Sequence, residues 1–164
     1  MGGIEMANRI HMTKKPSLDL TRKYDINKYI NKYPFKPNGL WYSIDNEWYE
    51  WCAGEMPDWI KGWSYSLEID TANVLIISTT FQLNKFLEKY QEKTTQYIYS
   101  IDWYKVSRDY TGIEIQRYHH LKYMCDRNID GFSKLVWLYG WDVSGGCIWD
   151  MSVIEKVKRY ATHS

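Results

Sequence analysis

The segment Gly39-Leu40-Trp41-Tyr42-Ser43, with Trp48, Tyr49 and Trp51 close behind it, restricts the fold more than any other stretch of the chain. Pro37, Asn38 and Gly39 form a tight turn, and the apolar and aromatic residues after them read as a short buried strand. Asp45, Asn46 and Glu47 then supply a helix start, and that helix carries Trp48, Tyr49 and Trp51 back over the strand end. A strand end faced by several rings is either a packed aromatic core or the wall of a pocket. Such a pocket suits a flat or cationic ligand, because an aromatic face attracts positive charge and stacks on other rings.

At 164 residues the chain is expected to form one domain over positions 1–164, with a core that needs neither disulfides nor metal. Nine tryptophans and fifteen tyrosines point to an aromatic-rich core or to a face for sugars, nucleobases or a nucleotide. No apolar run approaches a membrane span and residues 1–12 lack the apolar stretch of a signal peptide, so a cytoplasmic protein with no membrane partner is expected. Cys52, Cys125 and Cys147 form no CxxC pair and their odd number argues against a disulfide framework. Formal charge is uneven, at +5 over residues 1–40, −6 over 41–104 and +2 over 105–164. Lys14, Lys15, Arg22, Lys23, Lys28, Lys32 and Lys36 either steer an anionic partner or form the wet side of a helix.

Strands are expected at Arg9–Thr13, Trp63–Ile69, Val74–Ile77, Gly112–Ile115, Lys134–Leu138 and Cys147–Trp149, from runs of β-formers bounded by turn residues. Short helical pieces are expected after Ser17, an amphipathic helix from Phe81 to Tyr90 capped by Ser78 to Thr80, and a short helix over Ile101–Val106. Residues 118–131 read as a loop or irregular helix. Ser152, with Glu155 three residues on, reads as the cap of a closing helix that turns Val153, Ile154 and Val157 inward. The fold class is therefore α+β, with a mixed, mostly antiparallel sheet flanked by short helices.

The chemistry-bearing residues give no metal pattern: adjacent His119 and His120 with Cys125 and Asp126 match no zinc spacing. Cys147, between Gly146 and Ile148, is a nucleophile candidate or a small buried hydrophobe. Ser144-Gly145-Gly146 is too short a signal for a phosphate-binding loop. His11, Ser43, Glu114 and Asp142 stand on or beside strands, where a polar group is hydrogen-bonded or functional, since burying it bare costs a few kcal/mol.

Taken in order, these residues resemble the ADP-ribosyltransferases. Ile10-His11-Met12-Thr13 resembles the first-strand histidine motif of the diphtheria-toxin-like branch, whose histidine bonds the ribose next to the adenine. Gly39-Leu40-Trp41-Tyr42-Ser43 resembles the glycine-aliphatic-aromatic-aromatic-small strand of the poly-ADP-ribose polymerases, whose first aromatic stacks on nicotinamide. Trp41 stands where that family has tyrosine, and Trp48 or Trp51 would close the other face. Asp142-Val143-Ser144-Gly145-Gly146-Cys147-Ile148-Trp149-Asp150 is similar to the late segment of a phage anti-CRISPR ADP-ribosyltransferase, with aspartate in place of the usual glutamate.

The resemblance implies a split sheet, NAD as substrate, no metal, and a protein or nucleic-acid acceptor, in a toxin, phage or antiviral setting. It implies Asp142, or else Glu114, as the catalytic acid, and His11, Thr13, Gly39, Trp41, Tyr42, Ser43, Trp48 and Trp51 as the NAD-binding set. Loss of nicotinamide builds oxocarbenium-like charge on the ribose, so a carboxylate on a ribose hydroxyl stabilises the transition state above the ground state. Two rivals stand beside this expectation. One is a non-catalytic aromatic-rich module for nucleic acid or a glycan, with Trp41, Trp48, Trp51 and Trp59 as a stacking platform. The other is a cysteine hydrolase built on Cys147.

Overall fold

A computed structural model describes residues 7–26, 35–93, 99–128 and 132–164. Its main sheet is built from β1 (Arg9–Thr13), β2 (Leu40–Ile44), β3 (Gly62–Ile69), β4 (Val74–Ile77), β7 (Gly112–Ile115), β8 (Gly145–Ile148) and β9 (Ile154–His163). These seven strands lie in the order β4-β7-β8-β2-β1-β3-β9, while β5 (Gln91–Lys93) and β6 (Tyr99–Ile101) pair separately. Every pair is antiparallel except β4 with β7. The mostly antiparallel α+β architecture expected from the sequence is thus present.

The sheet is bent back on itself, and the chain length requires it. In a flat sheet β3 and β4 would lie about 24 Å apart, from a strand spacing of about 4.8 Å. The chain from Ile69 to Val74 reaches only about 18 Å when fully extended. Bending therefore brings the two ends together, so that Leu67, Ile69 and Ile154 of one end share an apolar cluster with Val74 of the other. Inside the bend lies one apolar cluster, including Leu40, Tyr42, Leu67, Val74, Ile148 and Ile154. On the outer face a second cluster joins Ile113, Ile115 and Cys147 to Leu83, Phe86 and Trp137 of the helices.

Those helices are α2 (Thr80–Tyr90), α3 (Trp103–Asp109), α4 (Tyr118–Asn128) and α5 (Phe132–Tyr139). The first starts as its sequence suggests: Thr79 caps it, and Gln82 returns the bond to the Thr79 N–H in a capping box. Helix α1 (Glu47–Glu55) follows β2 directly, then a 3-10 turn at Pro57–Trp59.

Several expectations fail. Residues 134–138 are helix, within α5, because a short apolar run bears no period of its own and burial of Leu135 and Leu138 fits one helical turn. Of the two readings of residues 118–131, loop or irregular helix, residues 118–128 take the helical one, as α4. The closing helix is absent: Asp150 takes the Ser152 N–H and hydroxyl in a single 3-10 turn, and the chain then runs as β9 along β3. Eight paired positions along β3 outweigh one cap signal. Ile101 ends β6, and the neighbouring helix begins only at Trp103, capped by Asp102. Residues 17–26 form no helix, while the rest of that expected segment and Asp130 and Gly131 lie outside the described residues.

Candidate functional site

Strands β1 and β2 share only two register positions, Arg9 with Ile44 and Ile10 with Ser43. Beyond them β1 continues along β3 to Thr13, while β2 turns away toward Gly39. His11 stands at the fork. Its Nδ1 lies 2.5 Å from the Trp41 carbonyl oxygen, so the imidazole replaces the next rung of the ladder. A carbonyl can only accept, so Nδ1 carries the proton and Nε2 of the neutral ring keeps its lone pair. Burial lowers the His11 pKa from its ordinary value, against the opposing pull of the Trp41 carbonyl, and keeps the ring neutral near pH 7.

Two cavities meet at this fork, and His11, Lys36 and Trp41 line both. The larger, of about 1260 Å³, runs past Thr13, Lys15, Arg22 and Gly39. The smaller, of about 390 Å³, is walled by Trp41, Trp48, Trp59, Trp141 and Ser43. Trp141 meets Trp41 edge-on with ring centroids 4.9 Å apart. Trp48 is stacked on Trp51 at 4.9 Å and 9°, with Trp59 tilted against both. Trp51 therefore backs the wall, and Trp59 supplies the pocket face. Helix α1 delivers Trp48 and Trp51 as its sequence suggests, with Trp59 coming from the 3-10 turn after it, but lacks an Asn46 side-chain cap. Its start is held instead by Glu47, whose Oε2 accepts the Ser144 N–H at 2.7 Å.

Ser144 is a hub for the loop before β8. Its carbonyl accepts the Ile44 N–H and its hydroxyl oxygen accepts the Tyr118 N–H at 3.0 Å. Within that loop Asp142 holds a left-handed backbone, φ 65°, which aspartate tolerates better than most residues. The half-buried Asp142 carboxyl is close enough to raise the pKa of Lys36, whose ammonium lies 5.5 Å from the Trp41 ring centroid. Protein atoms crowding that ammonium have the larger, opposite effect, so its pKa is lowered overall.

Glu114 belongs elsewhere. Alternation with Ile113 and Ile115 suggests solvent or the sheet rim, but β7 lies inside the sheet and Glu114 is 0% exposed on the inner face. Arg9 forks onto it through Nε at 2.7 Å and Nη2 at 3.3 Å. The Tyr42 hydroxyl and the Gln116 amide each donate to it at 2.7 Å. Burial raises its pKa, yet the donors together outweigh that effect and hold it ionised below the ordinary carboxylate value. Tyr42 reaches Glu114 across Gly146, where an added Cβ would lie 2.3 Å from the Tyr42 hydroxyl. Its side chain thus serves this inner network, and its phenol pKa rises well above normal through burial and Glu114.

Of the other candidates, Ser43 is buried with its hydroxyl donating to the Asp45 carbonyl, and Thr13 Oγ1 accepts the Lys15 N–H. Cys147 is fully buried beneath Trp41, and burial pushes its thiol pKa far up, which disfavours the thiolate a hydrolase needs. All three cysteines are free. Among the described residues no His, Cys, Asp and Glu group is arranged to hold a metal, and no helix is long and apolar enough to cross a membrane. Trp59 and Trp141 line the smaller cavity, and neither belongs to the residue set that the resemblance implies. The signal for Trp141 is its place beside Asp142. Set against protein-family models, curated proteins and solved structures, the chain matches none.

Proposed function

We propose that this protein is an NAD-dependent ADP-ribosyltransferase that modifies a macromolecular acceptor. One observation carries the reading: β1, β2 and β8 are neighbours, so His11, Trp41 and the loop carrying Asp142 gather at the fork between β1 and β2, with Trp141 and Val143 on either side of Asp142 lining the smaller cavity. These are the three segments whose sequences resemble the family. Asp142 is favoured over Glu114, because every donor around Glu114 already occupies it inside the sheet.

On this reading the nicotinamide enters the tryptophan pocket, where its cationic ring stacks on Trp41 and faces Trp48 and Trp59. The diphosphate and adenosine half lies along the larger cavity, past Lys15 and Arg22. Neutral His11 offers Nε2 to a hydroxyl of the adenine-side ribose. Asp142 bonds the nicotinamide ribose and opposes the positive charge that grows on it as the glycosidic bond breaks. Lys36 holds the Trp41 face in the free protein and has to give way to the nicotinamide. No nucleophile of the protein is required, which agrees with the buried, protonated Cys147.

Incubation with NAD labelled on its adenylate, in a cell lysate, tests this. Label entering protein or nucleic acid, with matching release of nicotinamide, is the expected result. Absence of both, with retained binding of oligonucleotide or glycan, leaves the non-catalytic module.

A further inference from the structure

We infer that a single-stranded nucleic acid docks in the groove beside the tryptophan pocket and is the acceptor; this rests on the transferase reading above. The groove, of about 300 Å³, is formed by Met12, Thr13, Lys14, Trp48, Trp59 and Lys61. It shares Met12, Trp48 and Trp59 with the nicotinamide pocket, so whatever occupies it adjoins that pocket. Its two chemical features are an indole and a pair of cations. Trp59 is 51% exposed, and its ring also wedges against Trp48 and Trp51, which holds it in place at the groove.

Lys14 and Lys61 are both exposed, and neither makes an ion pair among the described residues. They are brought together by the start of β3. Gly62 takes φ 101°, and an added Cβ would lie 2.4 Å from the Thr13 carbonyl oxygen and 2.8 Å from Cα of Lys14. Close backbone contact thus fixes the two lysines on one rim. Asp58 adjoins Trp59 in sequence, but no carboxylate lines the groove.

A ring platform beside unpaired cations is the arrangement that binds single strands, with bases stacked on aromatic faces and phosphates on lysines. A neutral glycan makes no use of the lysines. A folded duplex keeps its bases stacked and unavailable to Trp59. In the transfer an acceptor nitrogen or oxygen of the strand bonds C1′ of the nicotinamide ribose. The C1′–N bond breaks, its electron pair leaves with neutral nicotinamide, and the acceptor's proton passes to solvent.

The test is fluorescence anisotropy of a labelled single-stranded 12-nucleotide probe against the full chain, over a salt series and without NAD. NAD binding is followed separately by tryptophan quenching. Wild type should bind the probe, and Trp59→Ala should weaken binding roughly ten-fold. Lys14→Ala with Lys61→Ala should lower the slope of log affinity against log salt by about 1.4, the share of two phosphates on a single strand. That double variant should keep NAD binding. No probe binding by wild type, or an unchanged slope in the double variant, overturns the proposal even where NAD binds and label enters protein. Probe binding with these losses but no response to NAD supports the groove and removes the transferase reading instead.

Discussion

The roles proposed for Trp41, His11 and Asp142 can each be isolated by one substitution. Trp41 is half-buried and touches Trp141 and the Lys36 ammonium, so it serves the core and the pocket at once. Trp41→Ala should weaken NAD binding by about 1–2 kcal/mol, the scale of a stacked cationic ring, in a fluorescence titration. Global unfolding of that variant would give the ring to the core instead. His11 has a folded pKa below its unfolded value of about 6.5, so the unfolded chain binds the proton more readily. Its contribution to stability is complete above that pH and is lost as pH falls through the folded value. Affinity for NAD should stay level from pH 8 to 6.5 and fall only as pH passes the lower, folded value. Equal affinity in His11→Ala and wild type would remove the ring from the site.

At the scale of elements, β1, β2, β8 and β7 are tied by Arg9, Tyr42 and Glu114 across the bare backbone of Gly146. Gly146→Ala should displace the Tyr42 ring and cost about 1–3 kcal/mol in urea unfolding, as overpacking does. Glu114→Ala should cost about 3–5 kcal/mol, because it strands Arg9 with only 15% of its side chain exposed. Since the folded pKa of Glu114 lies below its unfolded value of about 4.3, that stability is present above pH 4.3 and is lost as pH falls through the folded value. Equal stability of Glu114→Ala and wild type at pH 7 would contradict the network.

What was legible at this scale depended on how local each signal is. β1, β2, α1, β3 and α2 carry their own turn residues, caps or alternation, and all form where the residues suggest. β9 and α5 do not: β3 recruits the former from far along the chain, and α5 is an apolar run that only burial distinguishes from strand. Glu114 misled because alternation assumes one wet face, and the sheet bend covers both.

For the whole molecule, the fork between β1 and β2 is a consequence of sheet curvature and could not be read from any single segment. The sequence does place the segments that meet there, through His11, Trp41 and the Asp142 loop. It does not show that Trp59 and Trp141 complete the pocket, or that Glu47 anchors the Asp142 loop through Ser144. Asp142 is proposed to stabilise charge that exists only in the transition state, so its removal should lower turnover far more than affinity. Asparagine keeps the left-handed backbone and removes the charge. The most direct measurement is therefore nicotinamide release at saturating NAD by wild type and Asp142→Asn, with NAD affinity measured alongside. The predicted result is similar affinity and a rate about a hundred-fold lower, a barrier increase of about 3 kcal/mol. Equal rates in the two proteins, or no release by wild type at all, would contradict it.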